Sequence, residues 1–246
     1  MEQRSIQTLK EEFWRMADNA RTQTEYLADK KLQYLEHASL DVLKRIFVQY
    51  RYFTISYISD LALLVYRLPF GNLRSLLADF LNDELGNGQH EQAHQRIYDD
   101  FLVSLGMSQD ELEADAHQTN LRLLGEISDL VMKESPWYAV GLRGMGGECL
   151  CQVYLAAMHA YFMKNPAIQE MKDRLDQRFW DIHTGEIDIE HRERLREALM
   201  AAVDRDPAAL EGLVGGYKKS KGVFDRFWDN IFEAADVASH VPGKKD

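Results

Sequence analysis

"GMGGECLCQVYLAAM" (144–158) sets a single carboxylate, Glu148, in a stretch where nearly every residue from Trp137 to Phe162 is apolar or small. No proline interrupts it between Pro136 and Pro166, so it reads as a helix over 137–163 with Pro136 at its start. A lone buried carboxylate costs several kcal/mol unless it is paired or bound to a metal. The bland alternative is a glutamate satisfied by an arginine such as Arg143. Outward from this segment, apolar residues recur at three- and four-residue spacing almost throughout, and five prolines and 15 glycines leave long unbroken runs. The fold class this predicts is all-α.

Boundary signals divide the remainder. Ser39 is placed to cap a helix running to about Tyr66, and "RLPFGN" breaks the chain. Leu73 opens a helix that meets "GNG" at 86–88, and another spans roughly His90 to Leu105, ended by Gly106. Ser108 and Glu111 form a capping box. Further helices are expected at 117–133 and from Pro166 to about 203. Pro207 begins a short one, "VGGYKKSKG" reads as a loop, and 222–239 is the last helix. No internal repeat or low-complexity segment is evident.

At 246 residues the chain is long enough for one sizeable core, and a single domain, 1–246, is expected. No apolar run approaches the ~20 residues of a membrane span. The start "MEQRSIQTLKEEFWRM" lacks the basic and apolar regions of a secretory signal, so a cytoplasmic location is expected. Cys149 and Cys151, two apart on one helix, point to different sides, so no bridge between them is expected. The net charge of −11 argues against nucleic acid as a partner. Long apolar helices make a homodimer reasonable.

Helical bundles hold iron, manganese or zinc with carboxylates and imidazoles from facing helices, commonly lone Glu residues on two and Glu-x-x-His pairs on two others. Along this chain lie Asp60 in "YFTISYISDLALLVYRL", Glu91 with His94 in "EQAHQRIYDDF", Glu148, and Asp188 with His191 in "DIEHRERL". Residues three apart project from one helix face, which lets a carboxylate and an imidazole share one metal centre. Taken alone, each pair reads more simply as part of a solvated charged face. Taken together, in bundle order, they point to a metal site. His183, expected on the same helix as Asp188 and His191, lies about 80° from His191 on an ideal helix and about 140° from Asp188. Only a local irregularity near Gly185 would bring all three together.

These residues resemble the haem-oxygenase-like di-iron oxidases and oxygenases, non-haem iron enzymes built as a haem-oxygenase-like helical bundle. The segment "NDELGNGQHEQAHQRIYDDFLVSLG" (82–106) is similar to that family's first ligand segment, in which a Glu precedes G-x-G and a His follows ten residues on. By that match Glu84 and His94 are ligands and Glu91 stands outside, whereas spacing alone prefers Glu91. Both are carried forward. Glu148 falls where the family has its bridging glutamate, and "HTGEIDIEH" (183–191) is similar to its closing His, Asp, His segment. Four residues separate His183 from Asp188 where the family usually has three, so the helix is bulged here or His183 is displaced. Asp60 lies roughly where some members carry an extra carboxylate. The resemblance covers about residues 40 to 195.

It implies two Fe(II) ions held by Glu84, His94, Glu148, His183, Asp188 and His191, with Asp60 and Glu91 as candidate additional ligands. It implies O₂-dependent oxidation of a small substrate, amino-acid-derived by preference and a fatty acid second, with an external electron donor as a further expected partner. Trp137, Tyr138, Tyr154 and Met158 are expected to line the cavity, and Arg143 or Tyr57 to meet a polar substrate group. Three rivals stand beside this reading. They are a ferritin-like oxidase, a thiol-dependent or cofactor-free enzyme of the same fold, and a helical interaction protein.

Overall fold

The computed structural model describes residues 6–113 and 116–235; the side chains of residues 186–189 are outside that description. Among the described residues there is no strand. Helices α1 (Ile6–Leu32), α2 (Leu40–Arg67), α3 (Asn72–Glu84), α4 (His94–Ser104) and α5 (Gln109–Leu112) form the first half. Then α6 (Gln118–Lys133) leads to α7 (Pro136–Ala139), which runs through π-helical segments Val140–Met145 and Gly147–Cys151 into α8 (Gln152–Phe162). Helices α9 (Pro166–Gln169), α10 (Arg178–Thr184), α11 (Glu186–Arg205) and α12 (Ala209–Ala234) complete the fold. No helix among them is long and apolar enough to cross a membrane.

Local chemistry sets several boundaries as expected. The Ser39 side chain accepts from Val42 N at the start of α2, and Ser108 with Glu111 forms the capping box of α5. Three boundaries depart from expectation. First, α4 begins at His94 rather than His90, and Glu91 sits in a separate 3₁₀ turn, His90–Gln92. Glu91 and His94 therefore do not share a helix face. Second, the single helix expected from Pro166 to about 203 is broken: Gly185 adopts φ −89° and ψ −162° between α10 and α11. His183 and His191 lie on two helices, so the extra residue before Asp188 is a break between helices and not a bulge within one. Third, "VGGYKKSKG" is not a loop but the middle of α12.

The third departure has a packing cause. A Cβ on Gly216 would meet Tyr138 O at 2.0 Å, one on Gly212 would meet the Trp137 Cβ at 2.9 Å, and one on Gly141 would meet Leu213 O at 2.4 Å. These glycines are present because two helix backbones touch there. The contact gains apolar burial that offsets the ~1 kcal/mol helix propensity cost of each glycine. Opposite this seam the core is aromatic. Trp180 of α10 is fully buried against Phe47, Phe101 and Phe162, with ring centroids 6.2, 5.2 and 4.9 Å away. It ties α10, the carrier of His183, to α2, α4 and α8.

Gly216→Ala is expected to destabilise the protein by about 1–3 kcal/mol through overpacking. Gly222→Ala, on the same helix with nothing within 4 Å of its would-be Cβ, is expected to be neutral or stabilising by up to ~1 kcal/mol. Denaturant unfolding of the two variants separates backbone contact from helix propensity.

Candidate metal centre

The turn between α3 and α4 builds the first part of the site. Gly86, Asn87 and Gly88 all have positive φ (79°, 54° and 83°), a conformation glycine adopts at little cost and asparagine tolerates. Gly86 is fixed twice over, since a Cβ there would lie 2.3 Å from Gln89 O. The turn folds α4 back so that its first residue meets the last residue of α3. His94 Nδ1 lies 3.1 Å from Glu84 Oε2. This is why a separation of ten residues works where three had seemed natural.

Three other segments converge on this corner. The end of α10 supplies His183, whose ring stands perpendicular to that of His94 with centroids 4.8 Å apart. Glu84, His94 and His183 each offer one ligand atom, and those atoms all lie within 4.8 Å of one another. The π-helical segment supplies Glu148, and α11 supplies His191, with Nδ1 3.6 Å from Glu148 Oε2. Asp188 is on the first turn of α11, but its side chain lies outside the described residues. Packing orients the imidazoles: Phe179 lies against His183 (centroids 4.4 Å) and Phe80 stacks on His191 (4.3 Å).

Two carboxylates carried forward from the sequence lie elsewhere. Asp60 is fully buried, yet its Oδ2 accepts from Arg143 Nε at 2.6 Å and its Oδ1 from Ser128 Oγ at 2.5 Å. This ion pair occupies both partners, so Asp60 is not part of the cluster and Arg143 is not turned toward a substrate. Glu91 is exposed and lies 3.8 Å from Arg96. Glu91 thus lies outside the cluster, and Glu84 lies within it.

Two other residues join the cluster: Tyr57, expected from the sequence at a polar substrate group, and Asp83, which the sequence reading did not single out. Tyr57 donates to Glu148 Oε1 at 2.5 Å, and its ring fills the space where a Cβ on Gly147 would sit. Burial raises the Tyr57 pKa well above the ordinary phenol range, reinforced by the Glu148 charge, so it stays a donor. Asp83 Oδ2 lies 3.9 Å from His94 Nε2 and 4.0 Å from His191 Nε2, facing both imidazoles. Its position beside Glu84 in "NDELG" was the available signal. Burial pushes Glu84 toward protonation, but His94, joined by His183 and His191, outweighs it and holds the carboxyl below its usual range.

A cavity of about 40 Å³ adjoins the cluster, lined by Tyr50, Phe53, Thr54, Cys151, Leu155 and Phe179 beside Glu84, His94, Glu148 and His183. None of the expected liners Trp137, Tyr138, Tyr154 and Met158 reaches it; Tyr154, for example, is fully buried and donates to Asp225 Oδ1. The cavity wall carries no lysine or arginine. Two inward carboxylates with imidazoles and no basic side chain between them make a donor set suited to a divalent transition metal. As for the thiols, burial raises the Cys149 pKa to about 12, with the Glu148 charge adding to it, which removes it as a nucleophile. Cys151 faces the cavity, with Sγ 3.1 Å from the Tyr50 hydroxyl.

Tyr57→Phe would leave Glu148 buried without its phenolic donor. The metal-free protein is expected to lose about 1–3 kcal/mol, and metal-loaded protein less, because a cation replaces the lost partner. Thermal unfolding with and without Fe(II) measures the difference. Asp60→Asn is expected to destabilise by about 3–5 kcal/mol by leaving Arg143 unpaired while metal stoichiometry stays unchanged.

Among curated proteins, none matches the chain significantly. Solved structures with the same fold include a CADD-like protein of unknown function from Nostoc punctiforme, at 16% identity and TM-score 0.68, covering 91% of this chain and 98% of that one. A TenA homologue from Pseudomonas syringae aligns at 12% identity and TM-score 0.69, covering 90% and 93%. A domain of unknown function with a haem oxygenase-like fold from Shewanella denitrificans aligns at 13% identity and TM-score 0.65, covering 100% and 99%. At these identities the likeness shows the fold alone. The model of a family described as "Iron-containing redox enzyme" matches residues 44–220, a span that holds all the clustered side chains. The chain therefore belongs to the iron-containing redox enzymes of the haem-oxygenase-like fold.

Proposed function

We propose that the protein is a non-haem di-iron oxidase or oxygenase acting on a small organic substrate. Glu84, His94 and His183 would hold one Fe(II), and Glu148, Asp188 and His191 the other, with Glu148 shared; Asp188 enters on the sequence pattern. The observation that carries the reading is the convergence of Glu84, His94 and His183 within 4.8 Å, with Glu148 and His191 adjoining, in a bundle whose family is iron-containing. Bound iron would supply activation of O₂ and one-electron chemistry.

The chain's own residues do the rest. Phe80 and Phe179 fix the imidazole planes, so little reorganisation accompanies binding. Tyr57 holds Oε1 of Glu148 and leaves Oε2 toward His191, which biases the carboxylate to present one oxygen first. The aromatic and aliphatic wall excludes bulk water and strengthens electrostatics inside. With no lysine or arginine on that wall, a polar substrate group would be met by the metals, while an apolar body lies along Phe53, Leu155 and Phe179. An amino-acid-derived or aliphatic substrate suits this lining, and oxidation beside the polar group is the expected outcome. An external electron donor and a cytoplasmic setting belong to the same proposal.

A thiol-dependent enzyme of the same fold is the second reading, favoured by Cys151 facing the cavity. Cys151→Ser separates the two: activity survives under the di-iron reading and is lost under the thiol reading. Anaerobic loading with Fe(II) is expected to give about two irons per chain, followed by a transient visible absorption on mixing with O₂. Glu148→Ala should reduce the count to one or none. Retention of both irons would remove Glu148 from its shared position, and absence of iron from the unaltered protein would remove the proposal.

A further inference from the structure

Behind the ligand cluster, α1, the second π-helical segment, α11 and α12 enclose another pocket of about 150 Å³. Its floor is buried and includes Ala17, Cys149 and Tyr217. The charged side chains in its wall are sorted by depth. Arg21 and Arg192 are partly buried, whereas Asp18, Glu193 and Arg196 are exposed at the mouth. This order is the reverse of what would suit a cation.

The three arginines differ in how firmly they are held. Arg21 is anchored: Nη1 donates to Cys149 O at 2.7 Å, Nη2 to Gln152 Oε1 at 2.8 Å, and Nε lies 3.2 Å from Glu25 Oε1. Arg196 lies over the Trp14 ring, 4.6 Å from its centroid, which fixes a plane but uses none of its donors. Arg192 makes no hydrogen bond or ion pair among the described residues, although it is partly buried. Arg21 and Arg192 both act electrostatically on the Cys149 thiol and the Tyr217 hydroxyl at the floor, with Asp18 opposing them at each. Like charges facing one enclosed space repel, and reduced solvent screening strengthens that repulsion. An oxyanion placed between them would relieve it and accept planar, charge-assisted hydrogen bonds.

We propose that this pocket is a binding site for a small oxyanion, a carboxylate or a phosphate, gripped by Arg192 and Arg196 against the fixed wall of Arg21. The volume admits inorganic phosphate or a short carboxylate. Asp18 and Glu193 at the mouth, on a chain of net charge −11, repel extended polyanions and restrict the site to small ligands. Cys149 and Arg192 directly follow Glu148 and His191 in sequence, so an anion here would brace the backbones that carry those two side chains. Anion binding itself does not depend on any metal.

The test is a titration of the full-length, metal-free chain with inorganic phosphate and, separately, with succinate, at ionic strength held constant with chloride. Thermal unfolding and calorimetry provide the readouts. A saturable stabilisation by either ligand is expected, and which of the two binds tells phosphate from carboxylate chemistry. Arg192→Ala should weaken binding by about ten- to a hundredfold. Folding should be unaffected, because Arg192 has no partner among the described residues to lose. Arg192→Lys should restore part of the response. If both anions give only the chloride response, or if Arg192→Ala titrates like the unaltered chain, the site does not exist.

Discussion

Carboxylates inside an apolar bundle, with no basic side chain beside them, are the constraint on which the rest of this molecule turns. Glu84 and Glu148 face inward toward three imidazoles, no lysine or arginine lines their cavity, and nearby Arg143 is taken by Asp60. Left uncompensated, such charges would favour unfolding or protonation by several kcal/mol each. The fold answers with donors: His94 against Glu84 and Tyr57 against Glu148. Those are the partners that a bound cation would join. The Asp60–Arg143 pair solves the same problem by direct ion pairing, and so stands apart from the cluster although the bare sequence made it look equivalent.

Holding the donors at their distances depends on features remote from them. The close contact of α12 with the Pro136–Phe162 helix, made through Gly141, Gly212 and Gly216, fixes the axis on which Glu148 sits. Trp180 locks α10 among rings from three other helices, and His183 is one turn further along. The turn at 86–88 carries no ligand, yet it alone decides that His94 meets Glu84. Rigidity at the centre is thus supplied by backbone contacts and aromatic packing and not by the clustered carboxylates and imidazoles themselves.

Much of this was legible in the sequence, for identifiable reasons. The all-helical class follows from apolar spacing, and Glu148 announced itself as the acid in an apolar helix. The caps at Ser39 and Ser108 depend only on residues within four positions. What escaped was set by contacts distant along the chain. Asp60 and Glu148 look alike locally, and only the tertiary approach of Arg143 tells them apart. The Gly215–Gly216 pair reads as a loop until Tyr138 is seen to press against it. Glu91 with His94 satisfied a helical rule, but the helix did not extend that far, because the glycines before it had already committed the backbone to a turn. The resemblance pointed instead to Glu84, since it encodes a turn that spacing arguments omit.

The π-helical winding from Val140 to Cys151 carries a consequence for how this site could arise or be lost. Hydrogen bonds closing over five residues instead of four amount to an added residue within an otherwise ordinary helix. Wide winding takes up added length within the segment, so the flanking turns keep the faces that an ordinary helix would turn by about 100° per added residue. Glu148 lies inside this wide segment, so a one-residue deletion there would shift it relative to the turns on either side while composition and core stayed nearly the same. The placing of this carboxylate is thus set by the length of one short segment, and it can change without a change in the bundle around it.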